Sequence, residues 1–407
     1  MTFDQPNSIE PGSSPHDVLR LLFENGAQRQ GDIAAELHIT KSASNQHFRK
    51  LADEGYIMPA EEQMNHRGRP SMLWTIRPEG NCFLGILADA GTISLTLVDF
   101  AGKRLCEESF MLNDRNSREE LLGKLEESLR NLCSAVRSNG GRIIQGYIGF
   151  SGTVATDGAV IDSPHTPALN GLNLEKELYA RFGLNLYCDG MHYVKIQGEA
   201  DLLSPDSTTL MLEWGEGVGG IVVSNYQILN WASVPTLHNR GLWNIGHIPI
   251  VKDGTSCYCG RRGCLEAYTG GTALLKAHPE LHCVNLHELI ERASHGDAAC
   301  LEPVRAAAKT IAESLYWLLE LFGVDSIIMD GAFVPLFPAL EDAFRQGLEQ
   351  MWPQKDAAEI PIIVSDISHD KYRLGSALIA RYFYFHSEEM RKCRGVYHLN
   401  RDFPSGS

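Results

Sequence analysis

Gly246-His247, followed by Cys257-Tyr258-Cys259-Gly260-Arg261-Arg262-Gly263-Cys264-Leu265-Glu266, is the stretch on which the reading of this chain turns. Three thiols and one imidazole are the donor set taken by a closed tetrahedral zinc site. Cys257 and Cys259 sit one residue apart, and Gly260 and Gly263 permit the left-handed turns that bring Cys264 back to the same ion. The pattern resembles a zinc knuckle, with His247, Cys257, Cys259 and Cys264 as ligands of a structural Zn2+. Leu265, Ala267, Leu274 and Leu275 mark a helix starting after the last ligand, so the metal fixes the Glu266 carboxylate beside His247.

Around this stretch, 407 residues are too many for one ordinary core, and about two to three domains are expected. No run of about 18 uncharged apolar residues occurs, and the polar N-terminus lacks a basic region followed by an apolar one. The expectation is a cytoplasmic protein without membrane insertion. Cys82, Cys106, Cys133, Cys188, Cys283, Cys300 and Cys393 are scattered without disulfide-like spacing, which fits free thiols in a reducing compartment. A net charge of −15 argues against a nonspecific nucleic-acid coat but leaves room for a local basic surface.

Such a surface is found near the front of the chain. Val18, Leu19, Leu21, Leu22 and Phe23 recur at helical spacing and stop at Asn25-Gly26; a second short helix carries Ile33, Ala34 and Leu37. After a turn at His38-Ile39-Thr40, a third helix runs from about Ser42 to Glu54. Ile39, Ala43, Phe48 and Leu51 are expected to pack inward, leaving Lys41, Ser42, Ser44, Asn45, His47, Arg49 and Lys50 outside. Residues 38–52 hold three basic side chains and no acidic one, as a helix that meets phosphates requires. Two strand-like runs, Tyr56-Ile57-Met58 and Met72 to Ile76, flank a basic tip in which Arg67 and Arg69 surround Gly68. This is a wing whose arginines suit a narrow, A·T-rich minor groove. Residues 1–14 read as a disordered arm, 15–77 as a winged helix-turn-helix domain, and Pro78-Glu79-Gly80-Asn81 as a linker.

From Cys82 the pattern becomes α/β. Strand-like runs at 83–87 and 93–99, a turn at Ala101-Gly102, a charged amphipathic helix at 117–137 and a buried strand at 143–150 suggest half of a ribonuclease H-like fold. A second such run starts near Thr208 and meets the glycine-rich segment Gly215-Glu216-Gly217-Val218-Gly219-Gly220. Two lobes are expected, 82–190, completed by a C-terminal helix near 370–387, and 191–369, with a ligand cleft between them. The long amphipathic stretch 299–322 is a candidate for pairing two subunits.

Together, Gly215 to Gly220, the Gly246-His247 pair, the cysteine knuckle and Leu374-Gly375-Ser376-Ala377 resemble the ROK family of repressors, open reading frames and sugar kinases. The resemblance implies a two-lobed actin/sugar-kinase type body, and the winged helix in front implies the repressor branch. Sugar contacts implied by it fall on Gly152, Asn170, Asp189, His247 and Glu266, with Asp189 at the position of the kinases' catalytic base, and on Asn244, which stands where the family has a glutamate, while Cys188 replaces a family asparagine. The kinases' Asp-x-Gly-Gly-Thr loop is here Ala88-Asp89-Ala90-Gly91-Thr92, their Gly-Thr-Gly is Gly215-Glu216-Gly217, and a Gly-Gly pair is replaced in Ile328-Met329-Asp330-Gly331. These departures weigh against ATP binding. The expected protein is a non-enzymatic regulator, a repressor of carbohydrate genes that binds a palindromic operator in double-stranded DNA as a homodimer or homotetramer and senses a sugar or sugar phosphate inducer. The alternative is a sugar kinase with an accessory DNA-binding head.

Overall fold

The structure, a computed structural model, describes residues 9, 12–60, 72–89, 91–112, 117–137, 141–155, 158–163, 166–191, 194–195, 198–199, 202–204, 206–224, 227–229, 242–351, 359–365 and 369–392. They fall in two compact units, one within Met1–Gly198 and Ser368–Arg394 and the other within Glu199–Ile367.

The first unit begins with α1 (Ser14–Asn25), β1 (Gln28–Arg29), α2 (Gln30–Glu36), α3 (Lys41–Asp53), β2 (Ile57–Pro59) and β3 (Leu73–Ile76). The strands form one antiparallel sheet in the order β1-β3-β2. α3 starts where Thr40 Oγ1 accepts the Ala43 amide at 3.2 Å, a side-chain cap for one of the helix's free donors. Phe48 and Leu51 face inward from it, and the Phe48 ring meets Trp74 of β3 edge-on at 5.7 Å. Helix and wing stem therefore share one apolar core.

Next come β4 (Asn81–Asp89), β5 (Thr92–Asp99) and β6 (Arg104–Met111), then α4 (Arg118–Arg137), β7 (Arg142–Phe150), β8 (Thr153–Val154), β9 (Val160–Asp162), α5 (Leu174–Phe182) and β10 (Leu186–Gly190). The main sheet runs β10-β7-β4-β5-β6, with β4, β7 and β10 parallel. β4 and β7 are nearly continuous apolar runs because helices cover both faces of a parallel centre.

The second unit repeats the scheme. β11 (Thr208–Trp214), β12 (Val218–Ser224) and β13 (Gln227–Ile228) precede α6 (Glu266–Thr269), α7 (Gly271–Ala277), α8 (Leu286–Ser294) and α9 (Ala298–Phe322), then β14 (Ser326–Asp330), α10 (Phe337–Met351) and β15 (Ile362–Val364). Strand order is β13-β12-β11-β14-β15, with β11 parallel to β14. α9, expected to pair subunits, buries Val304, Ala307, Ala308, Ile311, Leu315 and Leu318 in this unit's own core, while Tyr316 and Leu321 remain exposed.

α11 (His369–Lys392) returns the chain to the first unit, lies against β4, β5 and β7, and also meets α1. Here the structure departs from the expected linker and arm. Pro78 and Gly80 accept the backbone amides of Phe100 and Arg142 at 3.0 and 2.7 Å, and Asn81 Nδ2 donates to the Gly55 carbonyl at 3.2 Å. The Arg142 guanidinium lies 4.7 Å from the centre of the buried Tyr56 ring. Phe23 stacks on Phe385 at 4.1 Å, and His16 Nε2–H donates to the Tyr384 carbonyl at 2.7 Å. Ile9, assigned to a disordered arm by sequence, is 2% exposed. Its amide donates to the Tyr56 hydroxyl at 3.1 Å and its carbonyl accepts from the Tyr384 hydroxyl at 3.2 Å. Burial pushes the Tyr384 phenol well above its ordinary value, so it stays a donor. The winged helix is thus docked on the first α/β lobe through buried aromatic rings with their polar groups paired.

Candidate functional site

On α3, Lys41, Ser42, Asn45, Arg49 and Lys50 are exposed and His47 is partly buried. Ser44 is a correction, since it is 1% exposed and its hydroxyl accepts from Gln30 Nε2 at 3.1 Å. It lies one turn before Phe48 and two before Leu51, so the helical period places it on the core stripe, where its small size fits. The Gln30 amide also donates to Asn45 Oδ1 at 2.8 Å, an orienting contact that sequence reasoning missed. Arg49 lies 3.6 Å from Asp53, but both side chains are well exposed, so water screens the pair and the cation keeps its field. Arg67 and Arg69 lie outside the described residues; β2 and β3, which flank them in sequence, pair antiparallel.

The candidate metal centre lies in the second unit. His247 ends a short helical turn, Leu242–His247, and Cys264 pairs with Pro249 just before α6. Between them the chain doubles back: Gly263 N donates to the Thr255 carbonyl at 2.8 Å and Cys257 N to the Arg261 carbonyl at 2.8 Å. Ligand atoms of His247, Cys257, Cys259 and Cys264 all lie within 4.8 Å of one another, a cluster able to hold a metal ion. His247 Nδ1 is 3.5 Å from Cys257 Sγ, and Cys259 Sγ is 3.7 Å from Cys264 Sγ. Burial lowers the pKa of His247, partly opposed by Glu266, which favours the neutral imidazole that binds metals. Burial pushes the Cys264 thiol up to about 12, so its thiolate needs a cation to persist.

Gly263 is required twice over, because its φ is +76° and a Cβ there would lie 1.7 Å from the Val251 carbonyl oxygen. Gly263→Ala is expected to destabilise the unit by at least about 2 kcal/mol and to lower its bound metal. Urea unfolding and metal analysis of the same preparation check both.

Glu266 is 8% exposed, and its Oε2 accepts the Val218 amide at 2.9 Å. A Cβ on Gly217 would stand 2.4 Å from that oxygen, so close approach of Glu266 explains a glycine in the expected phosphate loop. Glu266 lies near enough to His247 for its charge to act on the imidazole. Asn244 lies in the same helical turn, with its side chain outside the described residues. In the first unit Asp189 sits at the carboxyl end of β10, where ligands of parallel sheets gather, and its Oδ1 accepts the Gly190 amide at 2.7 Å. Gly152 follows the carboxyl end of neighbouring β7. Asn170 is committed to structure at one atom, its Oδ1 accepting the Ser163 amide at 2.7 Å.

Comparison with known proteins accounts for both parts of the chain. Residues 84–382 match the ROK family, and residues 15–58 match a winged helix-turn-helix DNA-binding family. The DNA-binding transcriptional dual regulator NagC of Escherichia coli (strain K12) is 23% identical over 393 residues, covering 89% of this chain and 91% of that regulator. Kanosamine kinase of Amycolatopsis mediterranei is 28% identical over 278 residues, 65% of this chain and 87% of the kinase. Among solved structures, a ROK family transcriptional regulator described as a homologue of the E. coli Mlc protein superposes with a TM-score of 0.71 at 19% identity, covering 94% of this chain and 98% of the other. With a ROK match over 84–382 and a winged helix-turn-helix before it, this chain belongs to the ROK family and carries that family's body behind a DNA-binding head.

Proposed function

We propose that this protein is a transcriptional repressor of carbohydrate genes, binding a palindromic, A·T-rich operator as a homodimer or homotetramer. The observation that carries the reading is the exposed Lys41, Arg49 and Lys50 set on a capped α3, in a head docked on a ROK body. Its relatives include proteins named N-acetylglucosamine repressor and DNA-binding transcriptional repressor Mlc. α3 is the recognition helix, with Ser42, Asn45 and His47 at base edges and the cations on phosphates. Arg67 and Arg69 reach the minor groove from the wing.

The metal is structural zinc. A tetrahedron with Zn–S of about 2.3 Å and Zn–N of about 2.0–2.1 Å has S···S edges of about 3.8 Å and S···N edges of about 3.5 Å. The Cys259–Cys264 and Cys257–His247 edges are 3.7 and 3.5 Å, and all four ligand atoms lie within 4.8 Å of one another. Four protein ligands leave no open position for a reacting water, so zinc would hold the knuckle rather than act on a substrate.

The inducer is a sugar or sugar phosphate contacted by Gly152, Asn170, Asp189, Asn244, His247 and Glu266. Chain connectivity gives it a route to DNA: α11 starts two residues after the second unit ends and delivers Tyr384 and Phe385 to the head. Phosphoryl transfer is disfavoured by a carboxylate, Glu216, at an expected phosphate position. The Glu216 carboxylate is already bonded to the Thr272 hydroxyl at 2.6 Å. Repulsion of ATP there amounts to several kcal/mol at order of magnitude.

Fluorescence anisotropy on an operator duplex tests this reading. A cognate sugar or sugar phosphate should weaken binding at least about tenfold, the coupling typical of two-site linkage. Asp189→Asn should blunt that response while leaving sugar-free affinity intact. Sugar-dependent ADP formation from ATP, well above the Asp189→Asn level, would instead establish a kinase.

A further inference from the structure

Two thiols with no part in the metal centre face each other in the second unit. Cys283 lies in the segment entering α8, Cys300 in the first turn of α9, and their sulfurs are 3.9 Å apart. Cys300 is fully buried and Cys283 partly exposed. One ion pair links them: Arg292 Nη1 touches Cys283 Sγ at 3.5 Å, Arg292 Nη2 donates to Asp297 Oδ2 at 2.7 Å, and the Cys300 thiol points at the same oxygen at 3.5 Å.

That wiring makes the two sulfurs unequal. The partly exposed Cys283 sulfur has the Arg292 guanidinium against it. A carboxylate against Cys300 favours the protonated thiol, and burial together with the adjoining sulfur pushes Cys300 up to about 12. Cys283 is thus the sulfur that a dissolved oxidant reaches first, and the buried Cys300 waits beside it with its proton. A metal does not suit the pair, because the Arg292 cation already contacts both Cys283 and Asp297. Among the described residues, moreover, the His247 cluster is the one group of three or more metal-type donors.

We propose that Cys283 and Cys300 are a peroxide-responsive dithiol, closing reversibly to a disulfide. The Cys283 thiolate attacks one oxygen of hydrogen peroxide; the O–O bond breaks, giving Cys283 sulfenic acid and a hydroxide that takes up a proton as water. Cys300 then attacks the sulfenic sulfur, the S–O bond breaks, and the departing hydroxide leaves as water with the Cys300 proton. In sum, two thiols and one peroxide give one disulfide and two waters.

An S–S bond of about 2.05 Å requires the sulfurs to close by roughly 1.9 Å. Cys300 is fixed in a helix whose first turn is capped by Asp297, with Oδ1 accepting the Ala299 amide at 3.0 Å. The movement therefore falls on Cys283, whose segment lies between the Pro279–Leu281 turn and α8 and exposes Val284 to 86%. Once formed, the bond ties this segment to the helix at the centre of the second unit's core.

The test uses the full-length, zinc-loaded protein treated with hydrogen peroxide, alkylated, digested with trypsin and mapped by mass spectrometry. Cleavage after Lys276, Arg292 and Arg305 places Cys283 in peptide 277–292 and Cys300 in peptide 293–305. The expected product is these two peptides joined, two hydrogens lighter than their sum and separated again by dithiothreitol. Cys283→Ser, at a partly exposed position, should abolish the joined product while keeping metal content and unfolding midpoint. Recovery of both peptides singly alkylated from peroxide-treated protein would overturn the proposal, as would Cys283 joined instead to a knuckle cysteine.

Discussion

Cys264→Ser is expected to release the metal and to destabilise the second unit by about 3 to 5 kcal/mol, at the upper end for a single side chain. Cys264 is fully buried beside α6, and Leu265 after it donates to the Ile248 carbonyl at 2.9 Å. Losing this ligand frees the fold-back that places Glu266, whose carboxylate holds the Val218 amide at the glycine-rich turn. The damage stays below the total unfolding seen in zinc fingers because this unit has a large apolar core independent of the metal, including Ile311, Leu315 and Phe344. Metal content by mass spectrometry and urea unfolding measure the two effects. Chelation of the unaltered protein should reproduce the stability loss, and full metal occupancy in the variant would contradict the ligand assignment.

Replacing Lys41, Arg49 and Lys50 together by alanine should weaken operator binding at least about 100-fold near 0.1 M salt. The salt dependence discriminates better than the affinity. Each phosphate contact removed should reduce the slope of log K against log salt by about 0.9. The three side chains are exposed and alanine is a good helix former, so the fold should survive. A variant with reduced affinity but an unchanged salt slope would mean that these cations face something other than phosphate. Ser44→Ala is the internal contrast: its hydroxyl is used inside the head by Gln30, and it should change stability rather than base preference.

The knuckle was legible because its determinants are local. Ligand spacing and two turn glycines are fixed within a short stretch, and the structure gathers the same four side chains. α3 was legible for a similar reason, through its cap and helical period. Ser44 was misread because a small polar residue on a core stripe looks like surface until its partner is known, and that partner, Gln30, belongs to another helix. The supposed linker misled in the same manner. Pro78-Glu79-Gly80 has the composition of a turn, but its carbonyls are claimed by Phe100 and Arg142, residues no local pattern connects to it. The seat of Ile9 is the extreme case, formed by Tyr56 and by Tyr384 from the other end of the chain. Gly217 is a subtler one. The family pattern gives it a phosphate-loop meaning, whereas here the approach of Glu266 already forbids a side chain.

Selection from a random pool of duplex DNA by the zinc-loaded, full-length protein tests the central claim most directly. An enriched inverted repeat with A·T-rich flanks, lost when Lys41, Arg49 and Lys50 are replaced by alanine, is the predicted result. Retention of no sequence above the starting pool, by protein with metal bound and the head folded, would contradict the reading of this chain as a sequence-specific regulator.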